Sequence, residues 1–176
     1  MAIPKGTEIP SEGGEFTKFE QNSTTKIRIT SDFMIGFQYF QADKTPMVSI
    51  EEPTELINPG KKYKSEELQD KAKQIWVASV YNFETKQHEL LVISQSSIKK
   101  ALLALEANKD WGDLKEYSIS VNRDDSSSVV KYALTPSPKK ALNKEEQAIV
   151  DDNPIVVADF FKAKEDDSNE DITKDF

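Results

Sequence analysis

The sequence predicts an all-β domain with one minor helix, and three observations predict it. First, residues 75–83 (IWVASVYNF) and 88–93 (HELLVI) are rich in β-branched and aromatic side chains. They flank the polar break Glu84-Thr85-Lys86-Gln87, the pattern of a β-hairpin. Second, the period then changes. Ile98, Ala101, Leu102 and Leu105 fall at i, i+3, i+4 and i+7, one face of an amphipathic helix within 94–109. Third, Tyr117, Ile119 and Val121 alternate with Ser118, Ser120 and Asn122, so the period returns to two. Asp124–Ser128 turns the chain and Val129–Thr135 supplies another strand. Strand, strand, helix, strand, strand needs one earlier strand to make a five-stranded Greek-key barrel with a helix between its third and fourth strands. That is the layout of an OB-fold.

The earlier strand must lie upstream. Residues 1–14 hold two prolines, three glycines and no periodicity, and read as a flexible N-terminal arm. Lys26-Ile27-Arg28-Ile29-Thr30 alternates, with Ile27 and Ile29 on one face and Lys26, Arg28 and Thr30 on the other. Ser31-Asp32 breaks the run. Phe33–Phe40 resumes it, with Gly36 marking a bend. Together these make the missing strand, or a strand pair. Residues 41–74 carry Pro46, Pro53, Pro59-Gly60 and six lysines, five of them within 61–73, and form a long excursion. A short helix over Glu66–Lys73, capped by Ser65, is expected within it.

The barrel domain is expected to span 15–142. Over 143–161, Asn143 caps a short helix through Val150 with Glu145 and Glu146 in its first turn. The apolar residues Ile155-Val156-Val157 and Phe160-Phe161 follow. Residues 162–176 have the composition of a disordered acidic tail.

At 176 residues, one main domain is the default. The chain has no cysteine and one histidine, His88. Disulfides, zinc-thiolate centres, cysteine nucleophiles and multi-histidine metal sites are thereby excluded. No metal and no cofactor are expected. Asp110, Asp113, Asp124 and Asp125 lie near turns and read as turn and cap residues rather than the Mg²⁺ ligands of a nuclease. Asn58-Pro59-Gly60-Lys61-Lys62 lacks the spacing of a phosphate loop. His88, beside Glu89, reads as a surface histidine. The expectation is a protein that is not an enzyme. No apolar run reaches ~18 residues and no secretory leader is visible, so a cytoplasmic protein with no membrane partner is expected.

The formal net charge is −8, but its placement matters more than its size. Residues 151–176 hold nine acids against three lysines, which leaves 22 acids against 20 bases in the remaining 150. A nearly neutral body carries one acidic end. A groove for unpaired nucleic acid needs cations that follow phosphates and aromatic faces that stack bases. Along 75–83, Trp76, Ala78 and Val80 form the core face, and Ser79, Tyr81 and Phe83 the amphipathic one. The candidate DNA-binding residues are Lys26, Arg28, Tyr39, Tyr81, Phe83, Arg123 and Lys131. The cations would hold phosphates and Tyr39, Tyr81 and Phe83 would stack bases. Arg28 and Arg123 are the only arginines, able to grip a phosphate with two N–H groups. Lys139-Lys140 and the lysines of 61–73 are further cations. Trp111, Tyr117 and Tyr132 read as core.

Several of these phrases also carry a resemblance. Phe16-Thr17-Lys18-Phe19, Lys26–Thr30, Phe37–Phe40, Ile75–Phe83, Asp110-Trp111-Gly112-Asp113, Tyr117–Arg123 and Tyr132–Pro136 together resemble the single-stranded-DNA-binding proteins of tailed bacteriophages, over about residues 15–142. The Asp-Trp-Gly-Asp turn before a strand ending in arginine is the most specific part. The resemblance implies an OB-fold that coats single-stranded DNA during phage replication, recombination and repair. The acidic end also looks like the tails of such proteins, whose tips recruit replication enzymes. That implies a partner-binding role for Asp166, Asp167, Glu170, Asp171, Asp175 and Phe176. The implied partners are a phage DNA polymerase, a helicase or primase, or recombination proteins, with self-association left open. Some relatives hold a structural zinc, and here no cysteine exists to bind one. The rival expectation is an acidic adaptor or DNA mimic that acts on a host protein.

Overall fold

The computed structural model describes residues 16–40, 46–53 and 72–162. The expected arm, the acidic tail and most of the helix expected over Glu66–Lys73 lie outside those residues. Among the described residues seven strands form an open antiparallel sheet, accompanied by two helices and a short helical segment at 157–162. The strands are β1 (Ser23–Ile29), β2 (Met34–Phe40), β3 (Pro46–Ser49), β4 (Lys73–Asn82), β5 (Gln87–Ile93), β6 (Ser118–Asp124) and β7 (Lys131–Pro136). The helices are α1 (Ser96–Ala107) and α2 (Lys144–Asp152). The chain packs as two compact units. Among the described residues, one comprises 16–32 and 78–155; the other comprises 33–40, 46–53, 72–77 and 156–162.

In the first unit the strands run in the order β5-β4-β1-β6-β7. Ile27 and Ile29 of β1, Ala78 and Val80 of β4, Leu91 and Ile93 of β5, Ile98 and Leu102 of α1, and Ile119 and Val121 of β6 are all buried. Each buried valine, leucine or isoleucine of this kind is worth about 1.5–3 kcal/mol. The expected barrel does not close: no pairing among the described residues joins β5 to β7. Two contacts account for it. The Thr17 N–H donates to the Leu90 carbonyl (2.8 Å) and Phe16 bridges Leu90 in parallel, so part of the β5 edge is already taken. On the opposite side α1 lies against β7, a strand with no fully buried residue.

The buried carboxylate of this unit is satisfied by its own side chains. Glu89 is buried, and its carboxylate accepts from Asn82 Nδ2 (2.9 Å), Thr17 Oγ1 (3.0 Å) and Thr85 Oγ1 (2.9 Å). A carboxylate survives burial only with donors of this kind. His88 is more than a surface residue. Its Nδ1–H donates to the Asn153 carbonyl (2.6 Å) and its Nε2 meets the Thr30 hydroxyl (2.8 Å), tying the end of α2 to the sheet. Trp111, expected in the core, is half-buried at the turn, with Gly112 at φ 71° and the indole 5.6 Å from the Tyr117 ring. Asp113 caps the 3-10 turn Leu114–Glu116, Asp124 accepts from Ser126 N–H, and Asp125 accepts from Asn22 N–H, so each has a turn's work to do.

Tyr117 is wholly buried, and its hydroxyl has no hydrogen-bond partner. Tyr117→Phe should therefore stabilise the chain by about 1–3 kcal/mol, since a buried unpaired polar group costs that much. Urea unfolding would measure it; a lower midpoint would mean that the hydroxyl has a partner after all.

In the second unit β2 lies between β3 and the first half of β4, with Gly36 opposite Ile75 and Phe37 opposite Ser49. Pro46 opens β3, where a strand tolerates the missing N–H. Residues 157–162 are helical and bury Val157 and Phe161 with Met47, Val48, Ile75 and Val77. Gly36 was expected to mark a bend. Its reason is instead close approach: a Cβ there would collide with the Phe161 ring and come within 2.6 Å of the Ser49 carbonyl. Gly36→Ala should cost about 1–3 kcal/mol by overpacking. An unchanged denaturation midpoint would contradict the ring's position. Trp76 was expected among the core residues of β4. It is only half-buried, edge-on to Phe33 (5.9 Å), with its indole N–H donating to Gln74. Among the described residues no helix is long and apolar enough to cross a membrane.

Candidate functional site

The pairing register builds the site in two rows. Side chains directly opposite across an antiparallel pair point to the same face of the sheet. In the first row Phe83 pairs with Lys26, its N–H donating to the Lys26 carbonyl (3.0 Å). Lys26 lies opposite Ser120, and Ser120 opposite Thr135. In the second row Tyr81 lies opposite Arg28, and Arg28 opposite Ser118. The intervening residues Ile27, Asn82 and Ile119 point the other way, into the buried side. Alternation thus sorts one face for packing and leaves the other with two cations, two aromatic rings and a line of hydroxyls.

Within this face the side chains touch. The Lys26 ammonium stands 4.6 Å from the Phe83 ring centre, a cation–π contact. Tyr81 meets the same ring edge-on at 5.0 Å. Arg28 is 6 % exposed. Its Nε donates to Ser118 Oγ (3.3 Å) and its Nη2 to the Lys140 carbonyl. Burial pulls the Arg28 pKa below its ordinary value, and the negative charge of Glu146 acts in the opposite sense. A guanidinium has five N–H donors, and these two bonds leave others for an anion. Tyr81 is 3 % exposed, and burial, then Glu146 and Glu145, push its hydroxyl pKa up.

Residues 137–143 and the first turns of α2 pass over this face. The Ser137 N–H donates to the Ser118 carbonyl (2.8 Å) and extends the second row. Two cavities remain beneath. One of about 600 Å³ is lined by Arg28, Lys115, Lys139, Lys140, Gln147 and Val150 among others. One of about 580 Å³ is lined by Lys26, Arg28, Phe83, Ser118, Asn143 and Glu146 among others. Lys139 pairs with Glu116 (3.0 Å) and Lys115 with Asp32 (2.7 Å), both near the surface, where such pairs contribute little and exchange readily.

The seven sequence candidates therefore separate. Lys26, Arg28, Tyr81 and Phe83 come together. Tyr81 and Arg28 are more deeply buried than a stacking or phosphate-gripping role requires, because residues 137–147 lie over them. Lys131 shares the parity of Ser120 and Thr135, but stands at the far end of β7 opposite Asp124. Arg123 does not join the others. It shares parity with Ile119 and Val121, so it points to the opposite face. There it donates to the Asp125 carboxylate (2.9–3.2 Å) and to the Phe19 carbonyl (2.8 Å). Its bond to Asp125 raises its pKa. Tyr39 belongs to the second unit, half-buried on β2 opposite Met47. Asp166, Asp167, Glu170, Asp171, Asp175 and Phe176 lie outside the described residues.

Sequence reasoning passed over Lys115, Ser118 and Ser120. The two serines were legible from strand parity, since each lies between inward-facing residues of β6. Lys115 gave no signal, because it reaches the site from a 3-10 turn set by the Asp113 cap. Comparison with models of protein families, with curated proteins and with solved structures finds no match for this chain. Its chemistry is then argued from geometry. A face with ammonium and guanidinium groups, ring surfaces and hydroxyls can hold phosphates while a flat apolar group lies on Phe83.

Proposed function

We propose that this chain binds single-stranded DNA with little sequence preference and does not cleave it. The observation that carries the reading is the shared face of Lys26, Arg28, Tyr81 and Phe83, with Lys139 and Lys140 at its margin. Cations spaced along a sheet follow a phosphate backbone. Phe83 offers a ring to a base, and every base has a face to stack. A duplex keeps its bases stacked on one another and cannot use the ring. The strand order β5-β4-β1-β6-β7, with α1 between β5 and β6 in sequence, supports the OB-fold reading: it is the order of such a barrel before its ends are joined. On this reading the protein protects single strands in the cytoplasm during phage replication, recombination and repair. Its acidic tail, Asp166 to Phe176, would recruit a DNA polymerase, a helicase or primase, or recombination proteins.

Titration of fluorescent oligo-dT, with duplex DNA and RNA as competitors, tests the reading. Binding of oligo-dT with weak competition from duplex supports it. The alternative, an acidic adaptor or DNA mimic acting on a host protein, is favoured by the net charge of −8 and by the acidic α2. It expects no oligonucleotide binding at all.

A further inference from the structure

The least explained element of the first unit is α2. It starts well: Asn143 accepts from the Glu146 N–H (2.8 Å) and Glu146 accepts from the Asn143 N–H (2.9 Å), a complete capping box. Yet none of its nine residues is buried. A helix normally stays in place by burying an apolar face. Of its apolar residues this one half-buries only Ile149 and Val150 and touches β5, and polar contacts at its two ends supply much of the rest of its hold. Upstream, Arg28 donates to the Lys140 carbonyl and the Lys140 N–H to the Glu116 carbonyl (3.3 Å). Downstream, His88 donates to the Asn153 carbonyl. Water can replace each of these. Between the ends, two cavities are lined jointly by α2, its lead-in and the sheet.

Charge supplies what packing does not. Lys144, Glu145, Glu146, Asp151 and Asp152 give α2 a net charge of −3. Its first turn brings Glu146 into the cavity shared with Lys26, Arg28 and Phe83. A carboxylate that lines one cavity with an arginine, a lysine and an aromatic ring stands where a phosphate of a bound strand would stand.

We propose that α2 is a built-in competitor for the cationic face, occupying it through Glu146, with Glu145 adding charge at the exposed rim of the same turn, and leaving when a single strand binds. The inference rests on the proposed function and adds its regulation. Strand and helix share one set of cations, so only one of them is held at a time. A closed form favoured about ten to one would lower the apparent affinity about tenfold. Weak or short ligands would be rejected, and long strands that reach several cations at once would be accepted.

The test uses the full chain with Glu145→Gln and Glu146→Gln together. Glutamine at the third helical position keeps the capping box while removing its charge. A control, Glu106→Gln with Asp110→Asn, makes the same change in net charge at exposed positions that line neither cavity. Fluorescent oligo-dT at low salt should bind the α2 variant up to about tenfold more tightly than the wild type, with the control near the wild type. Adding oligo-dT to the wild type should speed amide exchange over residues 144–152. Equal affinity in wild type and variant, or unchanged exchange in α2 on binding, overturns the competitor and leaves the binding function standing. A gain in the control equal to that in the variant also overturns it. If neither wild type nor variant binds oligo-dT, both readings fall together.

Discussion

The affinity of this chain for oligo-dT should fall about 50-fold between 50 and 200 mM salt, because four cations that each meet one phosphate give a log–log slope of about −2.8. The four are Lys26, Arg28, Lys139 and Lys140. Lys139 has a carboxylate partner in the free protein, but an exposed ion pair exchanges one anion for another at little cost. Arg28 enters the count through the donors left over from Ser118 and Lys140. Arg123 does not enter, since Asp125 already holds it, and neither does Lys131, which stands opposite Asp124. The slope thus discriminates between two pictures of the face. All seven sequence candidates in one groove would add Arg123 and Lys131 and steepen it. The observed register allows the shallower value. Fluorescence titrations at four or five salt concentrations measure it directly. An affinity indifferent to salt would remove phosphate contact from the account and favour the acidic adaptor.

The same residues show how far the sequence could be read. Local signals were sufficient wherever structure is local. The polar break at residues 84–87 turned the hairpin, and Asn143 three residues before Glu146 set the start of α2. On a single strand, parity alone placed Tyr81 and Phe83 together, and Lys26 with Arg28. It also contained the position of Arg123, since the alternation that turns Ile119 and Val121 inward carries Arg123 to their face. What parity cannot give is which strands are neighbours, or what lies on top of them. The open edge at β5 depends on Phe16 and Thr17, more than 70 residues from Leu90 in sequence. The burial of Arg28 depends on a carbonyl 112 residues away. Gly36 looked like a bend because its own neighbours are strand-like, yet the reason for it is Phe161. Each of these is a contact between segments whose sequences do not refer to each other.

Phe83 and Tyr81 should respond to truncation in opposite ways, although they sit on one strand and one face. Phe83 is half-buried, with the Lys26 ammonium over its ring and no weight of core around it. Phe83→Ala should leave the unfolding midpoint nearly unchanged and weaken oligo-dT binding by roughly 1–3 kcal/mol, the usual cost of losing a base stack. Tyr81 is buried between Arg28 and Phe83 beneath residues 137–147. Tyr81→Ala should cost about 3 kcal/mol of stability, the low end for removing a large aromatic side chain from a packed site. Tyr81→Phe keeps the ring, loses only the hydroxyl, and should restore the fold. Urea unfolding of the three variants, each followed by an oligo-dT titration, separates stability from binding. The decisive reversal would be a folded Tyr81→Ala that fails to bind beside a Phe83→Ala that binds normally. Tyr81 would then be the stacking residue, and the layer above it would have to leave the face completely on binding.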